Sequence, residues 1–410
     1  MATASTQTVE APTQPGPRRR GLLARINFRQ FGILAALVII IVLFQVLTGG
    51  RLLMPGNVNN LIQQNAYVLI LAIGMVMVII AGHIDLSVGS VAAFVGAVSG
   101  VLIVQWGLPW WLGILLSLVL GAVVGMWQGF WVAYVGIPAF IVTLAGMLLF
   151  RGLTQMTLGN TQITPFPTEY RQLGGGYLFP DLFPAATSAA EWITVALGAL
   201  TLVLFVFSQV RQRAKRAALE LQNEPMAAFL VKVIGGGALI AYLTYLLGVA
   251  PGSRGTPIVL VVLAILIIGY STVMSRSVFG RHIYAIGGNR TAAKLSGINT
   301  RRVDFLLFVN MGVLAALAGI VFTGRLNSAG PGAGNLFELD AIAASFIGGA
   351  AVQGGVGRVV GAIAGGLVMG VLNNGMSLMG ISTDVQQFIK GLVLLLAVAF
   401  DVWNKNRTRG

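Results

Sequence analysis

Cysteine is absent from this chain of 410 residues. That excludes a disulfide framework, a thiolate metal site and a catalytic thiol. Histidine is nearly absent, with only His83 and His282, too few for an imidazole metal cluster. Charge is scarce too. Asp, Glu, Lys and Arg make up 9% of the chain, against about 25% in an ordinary soluble domain. No Gly-Lys dipeptide occurs, so there is no G-x-x-x-x-G-K-[ST] phosphate loop, and ATP hydrolysis by that route is excluded. G-x-S-x-G and H-E-x-x-H are missing as well. A membrane-embedded enzyme would need a constellation of acids, histidines or metal ligands, and the sequence holds none. It implies no cofactor, no metal and no catalytic residue.

What is present is apolar. Hydrophobic residues make up 56% of the chain and the mean hydropathy is +0.86. So little polar surface cannot cover a core in water, and the solvent it suits is a bilayer. The net charge of +14 would suggest nucleic acid for a soluble protein. Here the basic residues sit in the gaps between apolar runs, as in loops on the cytoplasmic side of a membrane, so no nucleic-acid partner is expected. Residues 1–28 are rich in Thr, Ala and Pro and read as a disordered cytoplasmic tail. The run from Phe31 to Leu47 is longer than the roughly 7–15 residues of a signal-peptide core and ends in TGGR, so it reads as an uncleaved first helix.

A spanning helix needs about 20 mainly apolar residues. Eleven such runs fit: 31–48, 60–81, 87–105, 110–131, 138–158, 191–208, 227–248, 257–274, 303–323, 359–378 and 385–401. A short twelfth, 338–350, opens on Glu338 and Asp340. Arg18, Arg19, Arg20, Arg25 and Arg29 place the N-terminus inside. If 338–350 crosses, the last basic residues (Lys405, Arg407 and Arg409) also lie inside; if it only re-enters, they lie outside. The sequence therefore predicts an all-α polytopic bundle of about 12 segments over 29–403. A short cytoplasmic tail follows at 404–410, and both termini are cytoplasmic. Small residues at four-residue spacing, above all Gly121, Gly125 and Gly129, predict close helix pairing.

Ionisable groups at membrane depth are costly and by default suggest function. Arg151 and Lys390 fall toward the outer side, as helix-end anchors or as lining of a pore mouth. Lys232 and Asp304 fall near the inner face, where snorkelling satisfies them. No expected helix carries a carboxylate near its middle, which counts against proton coupling. In AGHIDLSVGS, Asp85 or Ser87 is placed to cap a helix beginning near Leu86; alternatively His83 and Asp85 contact a solute or partner. Asn310, Asn373 and Asn374 carry amides that suit a hydroxyl-rich solute, and equally serve as glue between helices.

The stretch AIGGNRTAAKLSGINTRRV, residues 285–303, lies in the inner loop 275–302. Asn289 is placed to cap a short helix through Arg290, Thr291, Ala292, Ala293, Lys294, Leu295 and Ser296, and Gly297 to stop it. Ala292, Ala293 and Leu295 give it an apolar face without an intramolecular partner. It is either an interfacial helix on anionic lipid or a docking helix for another subunit. A bundle without an engine points to an engine supplied from outside.

GHIDLSVGS, RSVFGRHIYAIGGNRTAAKLSGINTRRV, ELDAIAASFIGGAAVQGGVGRVVGAIAGGLVMGVLNNGMSLMGIS and QQFIKGLVLLLAVAFD together resemble the permease subunits of bacterial ABC importers for monosaccharides, most closely those for xylose or several sugars. The resemblance covers most of 58–403. It implies a type II importer-like fold and a homodimer in the bacterial cytoplasmic (inner) membrane, in contact with lipid. It also implies two copies of an ATP-binding cassette ATPase and a periplasmic or lipid-anchored sugar-binding protein. The segment Asn289–Gly297 matches the family's coupling helix, which seats in the ATPase. The family often has Glu where this chain has Thr291. The pair of segments around 209–256 resembles the longer xylose-type permeases. On this reading Gly297→Pro or Ala293→Asp should stop ATP-driven uptake and spare insertion. The alternative is a self-sufficient, ion-coupled carrier.

Overall fold

The computed structural model describes residues 28–178, 191–221, 223 and 225–409. The tail expected before Phe28 lies outside them. The helices in chain order are α1 (Phe28–Leu47), α2 (Pro55–Ile80), α3 (Val88–Gly100), α4 (Trp110–Phe130), α5 (Ala139–Leu158), α6 (Thr168–Gly175), α7 (Trp192–Ala218), α8 (Met226–Gly248), α9 (Ile258–Arg276), α10 (Val278–Gly288), α11 (Arg290–Leu295), α12 (Thr300–Leu326), α13 (Phe337–Ile347), α14 (Val359–Leu378) and α15 (Thr383–Arg409). A π turn extends α3 to Gln105 and another extends α4 to Val135. The residues expected to form a tail after 403 continue α15 as far as Arg409.

Nine helices among the described residues are long and apolar enough to cross a membrane: α2, α3 and α4 with their π turns, α5, α7, α8, α9, α12 and α14. Helices α1 and α15, of 20 and 27 residues, coincide with the first and last expected segments. The expected segment 338–350 falls on α13, whose 11 residues rise only about 16 Å. A helix this short does not cross hydrocarbon by itself.

Helices α2 and α12 form the centre. Their stretches 66–80 and 311–321 are apolar on every side, and a helical stretch of that kind is buried rather than amphipathic. Ile70, Leu71, Ile73, Met75 and Ile80 of α2 and Leu307, Phe308, Ala315 and Ile320 of α12 are inaccessible or nearly so. Helix α12 packs along α4 through small residues. A Cβ on Gly125 would lie 2.5 Å from the Phe308 carbonyl oxygen, and Gly121 faces Ala316 and Gly312. The glycine triple thus makes the contact that its spacing implies. Helices α7 and α8 pair with each other at the periphery, with Val203, Phe207, Val231 and Ile234 facing outward. Exposed apolar faces of this kind suit lipid.

The contacts sort the helix ends. Ile80, at the end of α2, accepts a hydrogen bond from Gly355 N (2.8 Å) and touches Gly287 of α10. This is the α11 end of the bundle. At the opposite end Asn57 of α2 bonds Asn374 of α14, and Arg325 of α12 bonds Asn60. From that opposite end the connector 327–336, with the sequence NSAGPGAGNL, turns back into the bundle without helix. Its Gly334 lies against Gly89 near the start of α3, and Phe337 packs on Tyr67 (centroids 4.0 Å apart, rings tilted by 31°), halfway along α2. Helix α13 therefore starts inside the bundle and runs toward the α11 end, where Gly354 and Gly355 lie beside Gly287 and Gly288. The chain from 327 to 358 enters at one end and leaves at the other, with only the 11 residues of α13 helical.

The connector 81–87 does the converse. It leaves the α11 end at Ala81 and reaches the same interior level at Val88, from which α3 runs outward, with Ala92 on Gly319 and Gly96 on Thr323. Two sets of four helices, α2–α5 and α12–α15, thus follow one plan in opposite directions. Each has a long helix, a non-helical connector, a short helix starting inside, and two further helices. The packing is reciprocal, with α12 on α3 and α4, and α2 on α13 and α14. Interior helix starts of this sort are tolerated at membrane depth only when wrapped in protein.

Candidate functional site

Helix α10 opens at Ser277, whose hydroxyl accepts a hydrogen bond from Gly280 N (3.0 Å). Asn289 breaks the helical path with extended backbone and accepts a bond from Ala292 N (2.9 Å), starting α11. Asn299 caps α12 in the same way through Arg302 N (3.0 Å). Between the two caps, Gly297 takes φ +84°, which an L side chain adopts only at a cost of about 1–2 kcal/mol. The closing bonds run from Gly297 N to the Lys294 carbonyl and from Ile298 N to the Ala293 carbonyl, both 3.1 Å. Six residues, Arg290–Leu295, are thereby held as one rigid, exposed turn-and-a-half.

The faces of α11 differ from the expectation in one respect. Ala293 is 5% exposed and packs into the central core. It is the foot of the helix, not part of its free face. Leu295 is 84% exposed, and Ala292, Thr291, Lys294, Ser296 and Gly297 are exposed with it. An Ala293→Asp change would bury a charge, so its effect would not report on docking. Leu295 is the residue that does.

Arg290 turns back from α11 to the carboxylate of Asp304, on the second turn of α12. Asp304 is 2% exposed, so snorkelling does not explain it. A carboxylate removed from water needs a charged or hydrogen-bonding partner, and it has two. The second is His83, whose Nε2 lies 3.2 Å from Asp304 Oδ1. With its proton on Nε2, His83 donates to Asp304. A cavity of about 480 Å³ opens beside this trio, lined by His83, Arg290, Arg301 and Asp304 and by the α4–α5 turn at Gly136 and Pro138.

The connector 81–87 is held further in. Asp85 Oδ1 accepts from Ser87 N (2.8 Å) and from Ser87 Oγ (2.6 Å). Ser87 Oγ in turn accepts from Gln128 Nε2 of α4 (2.6 Å). The helix begins at Val88, two residues beyond Leu86, with Ser87 at the N-cap position but making no side-chain bond to its backbone. Asp85 closes the turn before the helix, and Ser87 ties that turn to α4.

The remaining candidates fall at separate places. Arg151 Nη1 donates to the carbonyl of Ala333 (2.6 Å), and Lys390 Nζ pairs with Asp340 (3.1 Å). Each fastens an outer helix, α5 or α15, to the interior connector and α13. Asn374 exchanges amide hydrogen bonds with Asn57, whereas the buried Asn373 Oδ1 is without a partner. Asn310 accepts from Tyr270 Oη (2.5 Å) and joins α12 to α9. These residues form no single cluster. Helix α13 carries the two carboxylates of the short twelfth segment in its first turn, inside the bundle. Glu338 and Asp340 are both buried there, and Glu338 Oε2 has no hydrogen-bond partner. Sequence reasoning missed this because depth depends on where 327–336 re-enters.

Comparison with known proteins bears on the whole chain. Residues 57–398 match the family described as branched-chain amino acid transport system / permease component. The xylose transport system permease protein of Escherichia coli (strain K12) is 43% identical over 387 residues, covering 94% of this chain and 95% of the relative. That of Haemophilus influenzae is 39% identical over 94% of this chain and 99% of the relative. The ribose import permease protein of Bacillus subtilis (strain 168) is 34% identical over 92% of this chain and 95% of the relative. No solved structure matches.

Proposed function

Because this chain belongs to the family of permease components of the branched-chain amino acid transport type, we propose that it is the membrane subunit of an ABC importer for a monosaccharide, xylose or a small set of sugars. The observation that carries this is the 43% identity to a xylose permease over 94% of the chain, present along nearly its full length. Ribose permeases match almost as extensively at lower identity, which favours a pentose. The subunit resides in a bacterial inner membrane and spans it many times, with the α11 end in the cytoplasm. Hydrolysis takes place on a separate ATPase, and a sugar-binding protein delivers the solute to the opposite end. A second copy of the chain completes the pathway.

Within this reading α11 is the coupling helix. Its caps make it stiff, Ala293 seats it on the core, and Leu295 is presented to a partner. Stiffness matters because a lever that bends on contact transmits nothing. The test is reconstitution of the chain with its ATPase and binding protein in proteoliposomes. Sugar uptake should require ATP and the binding protein, and Leu295→Asp should abolish both ATPase capture and uptake. Uptake driven by an ion gradient without ATP would refute the assignment.

A further inference from the structure

The Arg290–Asp304–His83 trio joins three pieces of chain far apart in sequence: α11, the start of α12 and the connector 81–87. One of these, α11, has a functional meaning in the reading above, and a second, the connector, leads into the bundle. Helix α11 meets the partner, and the connector leads to the interior start of α3. Between them stands Asp304, fully covered and bonded on both sides. Direct contact between Arg290 and His83 is weak, at 3.4 Å between nitrogens, so the carboxylate is the link.

We propose that Asp304 is a positioning residue that yokes α11 to the 81–87 connector, so that displacement of the helix by its partner is delivered to the N-terminus of α3 inside the bundle. The inference rests on α11 being the coupling helix. Three features support it. The connector is locally stiff, because Asp85 and Ser87 close its turn and Gln128 holds it. It is not packed solid: Gly82, His83 and Ile84 border the cavity of about 480 Å³, so a shift has room to occur. And the next contact inward is Gly89 against Gly334 and Glu338, where the two interior helix starts meet. A displacement at His83 thus reaches both halves of the molecule. A second backbone contact, Gly287 against Ile80 and Gly355, seats α10 on the end of α2, where the 81–87 connector begins, and on the chain between α13 and α14.

The experiment uses the complete transporter in proteoliposomes. Asp304→Asn removes the charge without changing shape. His83→Ala removes the other arm and leaves α11 and its partner surface untouched. Two readouts go with uptake. One is ATP hydrolysis by the captured ATPase. The other is the labelling rate of a cysteine introduced by Ile84→Cys, which is unique because the chain has none. The yoke predicts that both variants capture the ATPase and hydrolyse ATP within about twofold of the parent, while uptake falls at least tenfold. The nucleotide-dependent change in labelling at position 84 should disappear. The proposal is overturned if either variant retains uptake within twofold, if the labelling response persists, or if hydrolysis falls in step with uptake. Failure of the parent chain to capture an ATPase at all would overturn the coupling-helix reading as well, and is distinguished by being independent of either substitution.

Discussion

Lys390 Nζ of α15 lies 3.1 Å from Asp340 Oδ1 and 3.2 Å from Oδ2 of α13, inside the bundle. Removing one partner of such a pair strands the other charge and costs about 3 kcal/mol or more, whereas removing both is often nearly neutral. Lys390→Met alone should therefore lower the thermal stability of the detergent-solubilised protein more than the double change Lys390→Met, Asp340→Leu. A double variant less stable than the single one would contradict the pairing.

The α4–α12 contact makes a contrasting pair of predictions. Gly125 faces the α12 backbone with no space for a side chain, while Gly152 of α5 has nothing within 4 Å. Gly125→Leu forces the helices apart, and overpacking of this kind costs at least about 1–3 kcal/mol; monodisperse protein should be lost in size-exclusion chromatography. Gly152→Ala should stabilise by about 0.5–1 kcal/mol through the lower entropy of the unfolded chain. Equal behaviour of the two would mean that α4 and α12 do not approach as described.

Asn57 and Asn374 exchange two amide hydrogen bonds, 2.8 and 3.1 Å. Interhelical bonds in membrane proteins contribute about 0.6 kcal/mol on average and up to about 1.7. A double-mutant cycle with Asn57→Ala and Asn374→Ala, read by thermal unfolding, should return a coupling in that range. Zero coupling would show that the pair is not formed.

The proposed orientation has a direct check. The chain holds no cysteine, so Leu295→Cys introduces a single target at an exposed position. A membrane-impermeant maleimide should label it in inverted vesicles and leave it untouched in intact cells. Labelling from outside intact cells would reverse the whole topology.

Gly297→Ala probes the stop of α11. At φ +84° a Cβ costs about 1–2 kcal/mol, and nothing lies within 4 Å to be struck. Global stability should fall by no more than this, while ATP-driven uptake should fall severalfold as α11 loses its fixed pose. Unchanged uptake would show that the pose of α11 is not needed.

Much of this molecule is legible in its residues one stretch at a time. The Asn289 cap and the Gly297 stop come from local backbone chemistry, which depends on neighbours a few positions away. The glycine spacing at 121, 125 and 129 announces a close helix pair without naming α12 as the partner. What escapes such reading is depth and long-range pairing. Asp304 looks like an ordinary helix-start acid until Arg290 and His83 are seen around it, and His83 lies 221 positions away. Ala293 looks like part of a free apolar face until the core beneath it is known.

The sequence by itself determined that this is a helical body dissolved in lipid, because more than half of its residues are apolar and its few charges cluster in the gaps between long runs. It also determined a short, stiff, basic helix near residue 290. Tertiary structure decided that the chain is broken at two interior points, at Val88 and Phe337, and that the two breaks face each other. The runs 87–105 and 338–350 mark where these helices begin, but hydropathy carries no information on depth, because a helix that starts inside protein is as apolar as one that starts at the surface. Only the packing of α3 on α12 and of α13 on α14 shows that both helices begin inside the bundle.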